Sequence, residues 1–155
     1  MDNKYMVYLA TDHAGFELKT KIKEFLKKEG YELEDMGAYQ MDPNDDYPDF
    51  ISKAAKAVSK DPASKAIILG GSGQGEAIVA NKFSNVRAAV YYGGQSEMPK
   101  ITREHNDSNI LSLGARFLTE EEAFKAVKLF LDTPFSKDER HVRRIEKIKR
   151  IEENL

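Results

Sequence analysis

The chain has 155 residues, 41% of them hydrophobic and 32% charged, which suits one globular domain with a sizeable core. Twenty-four Lys and Arg against 26 Asp and Glu leave a formal net charge of −2, so charge offers no case for a nucleic-acid or anionic-membrane partner. There is no cysteine, which excludes disulfides, thiolate nucleophiles and cysteine-ligated metals.

Met1-Asp2-Asn3-Lys4 shows no signal-peptide pattern and no apolar run reaches membrane-spanning length, so the expectation is a soluble cytoplasmic protein, a single domain over 1–155. Tyr5 to Ala10 reads as a buried strand. After Thr11-Asp12-His13-Ala14-Gly15, Leu18, Ile22, Phe25 and Leu26 recur at helical spacing, with Asp12 as N-cap and Gly30 past the helix end. Tyr31 to Gly37 forms a second strand, with Tyr31, Leu33 and Met36 facing inward. A polar loop from Asp42 to Asp46 leads to Tyr47-Pro48, where proline opens a helix with Phe50, Ile51, Ala54, Ala55 and Val58 on its apolar face. Ala66 to Leu69 is a third strand, followed by a glycine loop and a short helix running to about Lys82. Val86 to Tyr91 is a fourth strand, Ser96 to His105 a helix with Pro99 in its first turn, and Asn109 to Leu113 a fifth strand. Thr119-Glu120-Glu121-Glu122 is a capping box for a helix burying Ala123, Val127, Phe130 and Leu131. Ser136-Lys137-Asp138-Glu139 repeats that signature before a basic terminal helix. The alternation predicts an α/β, three-layer Rossmann-like fold: a five-stranded parallel sheet between helices, plus a C-terminal helix.

In such folds ligands gather beyond the carboxyl ends of the strands. There lie Asp12-His13, the loop Gly70 to Glu76, and Gly114 to Arg116, which are expected to converge. Four of the six residues from Gly70 to Gly75 are glycine. Glycine lets backbone N–H groups approach a ligand closely, and a helix starting at Gly75-Glu76 aims its positive end into the same space. The loop therefore reads as a cradle for negative charge with a carboxylate at its rim. It does not fit the dinucleotide fingerprint, whose third glycine would come one place later and after a first strand. It lacks the Gly-Lys-Ser/Thr of a P-loop, and Gln74 occupies the last glycine position of a nucleophile elbow around Ser72. Glu76 has two readings, an acid complementing the helix dipole and a base that the dipole keeps ionised. No histidine pair has zinc-binding spacing, so no metal is expected. Arg140 and Arg144, four residues apart, share a helix face and could grip a phosphate, although a solvated basic face explains them equally.

Taken together, Thr11-Asp12-His13-Ala14-Gly15, Asp46-Tyr47-Pro48, Gly70-Gly71-Ser72-Gly73-Gln74-Gly75-Glu76, Ala80-Asn81-Lys82, Arg103-Glu104-His105-Asn106-Asp107 and Arg140-His141-Val142-Arg143-Arg144 resemble the ribose-5-phosphate isomerase B family. That family includes galactose-6-phosphate isomerase subunits and allose-6-phosphate isomerases. Many members carry a cysteine base where this chain has Gly70, and a subgroup lacks it and uses a glutamate at the position of Glu76. The resemblance implies aldose–ketose isomerisation of a phosphorylated sugar, ribose 5-phosphate foremost, through a cis-enediolate. It implies Glu76 as the base, His105 assisting ring opening, Asp12 as a binding or relay group, and Ser72 orienting the sugar. The N–H groups of Gly71, Ser72, Gly73, Gln74 and Gly75 would stabilise the oxyanion. Tyr47 belongs to the substrate site, Asn106 would contact hydroxyls, and His13, Arg116, Arg140 and Arg144 would hold the phosphate, with His141 as a weaker candidate. No cofactor is implied. The expected partners are the sugar phosphate and further copies of the chain, as a homodimer or homotetramer with active sites between subunits; no nucleic acid or membrane is expected. The alternatives are an isomerase for an allose, galactose or tetrose phosphate, and a non-catalytic nucleotide- or phosphate-binding module.

Overall fold

The structure, a computed structural model, describes residues 5–155; the segment Met1-Asp2-Asn3-Lys4, read above for a signal peptide, lies outside the described residues. Five strands, β1 (Met6–Thr11), β2 (Glu32–Asp35), β3 (Lys65–Gly70), β4 (Ala88–Tyr91) and β5 (Ile110–Gly114), form one sheet in the order β2-β1-β3-β5-β4. Every pairing is parallel, as the alternation of strands and helices requires. The helices are α1 (Phe16–Lys28), α2 (Pro48–Lys60), α3 (Gln74–Ala80), α4 (Met98–Asn106), α5 (Glu120–Asp132) and α6 (Glu139–Glu153).

Alternation along the central strands divides the core between two faces. Val7, Leu9, Ile67, Leu69, Leu111 and Leu113 point to one side, where Ile22 and Leu26 of α1 and Ala123, Val127, Phe130 and Leu131 of α5 cover them. Ala10, Ala66, Ile68 and Ile110 point to the other, beneath Ile51, Ala54, Ala55 and Val58 of α2 and Ala80 of α3. α1, α2 and α5 each turn inward the stripe that their spacing predicts. β1 and β3 are neighbours, yet the chain visits the edge strand β2 between them. Their carboxyl ends therefore form a topological switch point, where no crossover covers the gap and a ligand can enter.

The caps show where local chemistry decides and where it is overruled. Thr119 and Glu122 form the complete capping box of α5, each side chain bonding the other's backbone N–H. Pro48 opens α2, and Gly30, at φ +87°, follows the end of α1. Asp12 does cap, but it caps a 3₁₀ turn over His13–Gly15 by accepting from Ala14 N–H at 3.0 Å; α1 follows that turn from Gly15 without a side-chain cap. The expected second capping box does not form. Asp138 is the N-cap residue of α6, and the Ser136 hydroxyl donates instead to Glu104 O at 2.8 Å, tying the α5–α6 connection to α4. The same hydroxyl accepts from Asp138 N–H at 3.3 Å, and Lys137, at φ +62°, interrupts the helical run that a box from Ser136 to Glu139 needs.

Candidate active site

The residues that follow β1, β3 and β5 do converge. They line a cleft of about 420 Å³ with Asp12, His13, Ala14, Tyr47, Gly71, Ser72, Gly75, Glu76, Arg116 and Phe117 on its walls. The glycine loop is held from beneath. Gly73 has φ +80°, a conformation glycine takes without strain, and its carbonyl accepts a 2.7 Å bond from the buried Ser112 hydroxyl of β5. Arg116 N–H donates to Gly71 O at 3.1 Å, joining the loop to the turn after β5, and the Arg116 guanidinium lies over Gly71. The Tyr47 ring, carried by the residue before α2, rests on Gly75 from the other side.

Glu76 is 4% exposed, in the first turn of α3, and its side chain folds back over the end of β3. A Cβ on Gly70 would fall on its carboxyl group. The two positions thus share one volume: a side chain at 70 and this placement of Glu76 exclude one another. Burial raises the Glu76 pKa above its ordinary value, and the negative charge of Asp12 raises it further; the backbone N–H groups of Glu76 and Gly73 act the other way. The sequence reading let the helix dipole keep this acid ionised, but desolvation is the larger influence. Such a carboxyl is a stronger base once ionised, and its proton is exchangeable nearer to neutral pH.

Positively charged groups, His13 and Arg116, line the same cleft as Glu76. His13 Nδ1 lies 2.7 Å from Asp45 Oδ1, and the hydrogen bond to that carboxylate raises the His13 pKa. With Arg116 beside it, this end of the cleft is suited to an anionic group. Asp12, His13 and Asp45 also place potential ligand atoms within 4.8 Å of one another. His13 Nδ1, however, is already engaged by Asp45.

The remaining sequence candidates do not line this cleft. Gln74 is exposed and borders a separate hollow with Ile78 and Asn81. His105 and Asn106 are exposed at the end of α4, Arg140 and Arg144 are exposed on α6, and the rings of His105 and buried His141 stack at 4.4 Å. Burial, then the neighbouring His105 and Arg140, lowers the His141 pKa. Buried Arg103 holds that end of α4 in place, donating to Thr133 O at 2.9 Å, Ser108 O at 2.7 Å and Asp107 Oδ1 at 2.9 Å. The candidates thus form two groups on one chain, a carboxylate-and-loop group and a histidine-and-arginine group.

Sequence reasoning missed Asp45, Phe117 and Lys19. Asp45 lies in an irregular segment and Phe117 in a single 3₁₀ turn over Ala115–Phe117, both too short for a periodic signal. Lys19 had one, since it falls three residues before Ile22 and seven before Leu26 on the apolar stripe of α1. Its 2%-exposed side chain donates to Asp35 Oδ1 at 2.6 Å and Ala38 O at 2.7 Å.

Residues 7–148 match the family model described as Ribose/Galactose Isomerase. Ribose-5-phosphate isomerase B of Mycobacterium tuberculosis is 46% identical over 140 residues, 90% of this chain and 85% of the relative. The structure of ribose-5-phosphate isomerase B from Mycoplasma genitalium with bound ribulose-5-phosphate superposes with a TM-score of 0.94 at 37% identity, covering 98% of this chain and 99% of that one. The Clostridium thermocellum ribose-5-phosphate isomerase B gives 0.90 at 40% identity, covering 96% and 98%. With its parallel α/β sheet agreeing with those structures and the family model matching nearly its whole length, the chain belongs to the ribose/galactose isomerase family.

Proposed function

We propose that this protein interconverts ribose 5-phosphate and ribulose 5-phosphate, with Glu76 carrying a proton between C2 and C1 through a cis-enediolate. One observation carries the reading: a buried carboxyl group sits at the rim of a glycine loop, in a cleft that His13 and Arg116 also line. Glu76 removes the C2 proton of the open-chain aldose, the hydroxyl proton passes from O2 to O1 within the enediolate, and the same carboxylic acid returns a proton to C1 as the C2 carbonyl forms. Charge that develops on the C1 oxygen meets N–H groups of the loop, and in comparable oxyanion sites each such donor is worth about a hundredfold or more in rate. Since the Gly73 and Glu76 N–H groups act on the Glu76 carboxylate and Gln74 N–H donates to Ser72 Oγ at 3.4 Å, this role falls to Gly71, Ser72 and Gly75. His13 and Arg116 receive the phosphate. No cofactor takes part, because the substrate carbonyl itself acidifies the neighbouring C–H.

His105, Asn106, Arg140 and Arg144 complete the site from a second copy of the chain. This explains why they stand apart from the cleft on their own chain. Ile148 and Ile151, exposed on α6 beside Leu155, line a hollow with Val86, Ala88 and Ala89 that supplies apolar surface for such an interface. We place the activity in the cytoplasm, with its phosphorylated substrate.

Two measurements test the reading. Ribose, allose, galactose and erythrose phosphates are assayed for isomerisation; ribose 5-phosphate is expected to give the highest kcat/KM, and preference for a hexose phosphate overturns the substrate assignment. Glu76→Gln is expected to abolish turnover while sugar-phosphate binding persists, and near-normal turnover refutes the mechanism. Mixing Glu76→Gln and His105→Asn chains distinguishes shared from self-contained sites. Random two-fold pairing restores about a quarter of the sites when the residues come from different subunits and none when they come from the same one.

A further inference from the structure

Asp45 has no part in the chemistry above, yet its placement is specific. It lies in the irregular segment between β2 and α2, and its side chain is only 8% exposed. A single oxygen, Oδ1, meets both the backbone N–H of His13 at 3.1 Å and the ring Nδ1 at 2.7 Å. The other oxygen, Oδ2, is buried with no hydrogen-bond partner among the described residues. A buried carboxylate oxygen without a donor costs free energy, and a loop residue facing solvent would avoid that cost by turning outward. His13 is the neighbour that compensates the buried charge. When Nδ1–H donates to Asp45, Nε2 is the ring nitrogen left for a ligand. With the second proton on the ring, Nε2 is a donor; without it, Nε2 is a lone pair that repels an anion.

We propose that Asp45 is a positioning residue for phosphate recognition: it clamps His13 through ring and backbone at one carboxylate oxygen, so that the imidazole presents Nε2–H to the phosphate of the substrate. The inference rests on the proposed function in taking His13 and Arg116 as the phosphate end of the cleft. Around the His13 ring, the charges of Asp12 and Asp45 favour the protonated form, while partial burial and the Arg116 charge oppose it. Asp45 thus makes His13 a phosphate donor despite Arg116 nearby.

The test uses the intact oligomeric enzyme, ribose 5-phosphate as substrate and inorganic phosphate as competitive inhibitor, from acid to mildly alkaline pH. Asp45→Asn keeps an acceptor beside Nδ1 and removes only the charge. It is expected to raise KM and the phosphate inhibition constant about tenfold at neutral pH with kcat changed less than about threefold, the signature of lost binding rather than lost chemistry. The pH at which KM begins to rise is expected to move downward, since an uncharged partner no longer holds the proton on His13. In a His13→Asn background the substitution is expected to have no further effect on KM, which separates positioning from a general structural role. Unchanged KM and phosphate inhibition in Asp45→Asn overturn the proposal, as does an equal loss in the His13→Asn background. Tight Mn²⁺ binding by the wild type that Asp45→Asn removes also overturns it, because the cluster would then serve a metal. The underlying reading fails separately: wild type that neither isomerises ribose 5-phosphate nor is inhibited by phosphate, or a His13→Asn variant with unaltered KM, removes the phosphate site itself.

Discussion

Replacing Gly70 with alanine adds one methyl group at the end of β3, and the structure specifies what that methyl meets. Its carbon would lie inside 3.0 Å of all three terminal atoms of the Glu76 side chain, and the carboxyl must retreat before ordinary contact is restored. The retreat needed is about 1 Å, and misplacing a reacting group by that much costs about a hundredfold in rate. At 1.36 kcal/mol per tenfold, this corresponds to about 2.7 kcal/mol of lost transition-state stabilisation. Gly70→Ala is therefore expected to lower kcat about a hundredfold, with a near-native circular dichroism spectrum and thermal unfolding transition, because the Glu76 side chain can rotate where a backbone could not. The assay is ribose 5-phosphate isomerisation under saturating substrate, alongside unfolding of the same sample. A kcat within about threefold of wild type would show that the Glu76 carboxyl position over Gly70 does not matter to the reaction. Gly70→Cys combined with Glu76→Ala probes the same shared volume. The double variant is expected to be more active than Gly70→Cys alone, since it removes the carboxyl that the introduced thiol would crowd and leaves the thiol free to act as the base.

Acid dependence follows from the environment of Glu76. The base must be ionised, and burial and Asp12 raise its pKa, so kcat/KM is expected to fall with acidification at a pH above the ordinary glutamate value of 4.5. Residual activity of Asp12→Asn should place that inflection lower; an unmoved or higher inflection refutes the coupling. Stability carries the opposite sign. The folded protein binds the Glu76 proton more tightly than the unfolded chain, so this contribution to stability is present at low pH and lost as pH rises through the folded value. Thermal melts of Glu76→Gln should show that its advantage over wild type grows from acid to neutral pH. Arg140→Ala is expected to raise KM for ribose 5-phosphate by more than it lowers kcat, and an unchanged KM removes Arg140 from the phosphate site. Lys19→Met should destabilise the fold by about 3 kcal/mol in urea unfolding, the low end for breaking a buried ion pair. Asp35 retains Lys23 at 3.2 Å and the Gly37 N–H at 2.9 Å, which limits the loss.

The order of elements, the parallel sheet and the helix faces were legible from the sequence because burial on a sheet or helix leaves a period. Ile51, Ala54, Ala55 and Val58 can occupy one stripe of α2 in only one way. The glycine loop was legible for a related reason, since a close backbone approach needs a run of residues without side chains. Capping was legible only where the backbone turned helical at once: Thr119 met Glu122, whereas Lys137, at φ +62°, delays α6 until Asp138 is its N-cap residue. Sequence alone also pointed to Glu76, but it left a dipole-matched acid and a base as equal readings. The tertiary structure adds what the pattern could not, folding that side chain over Gly70 into a buried cleft where desolvation raises its proton affinity, the environment that the proposed base role draws on. The same holds for Asp45 and Lys19, whose roles come from partners 32 and 16 residues away. Sequence records what a segment buries along its own period. The electrostatics of a site depend on which distant segments exclude water together, and that is decided when the chain closes.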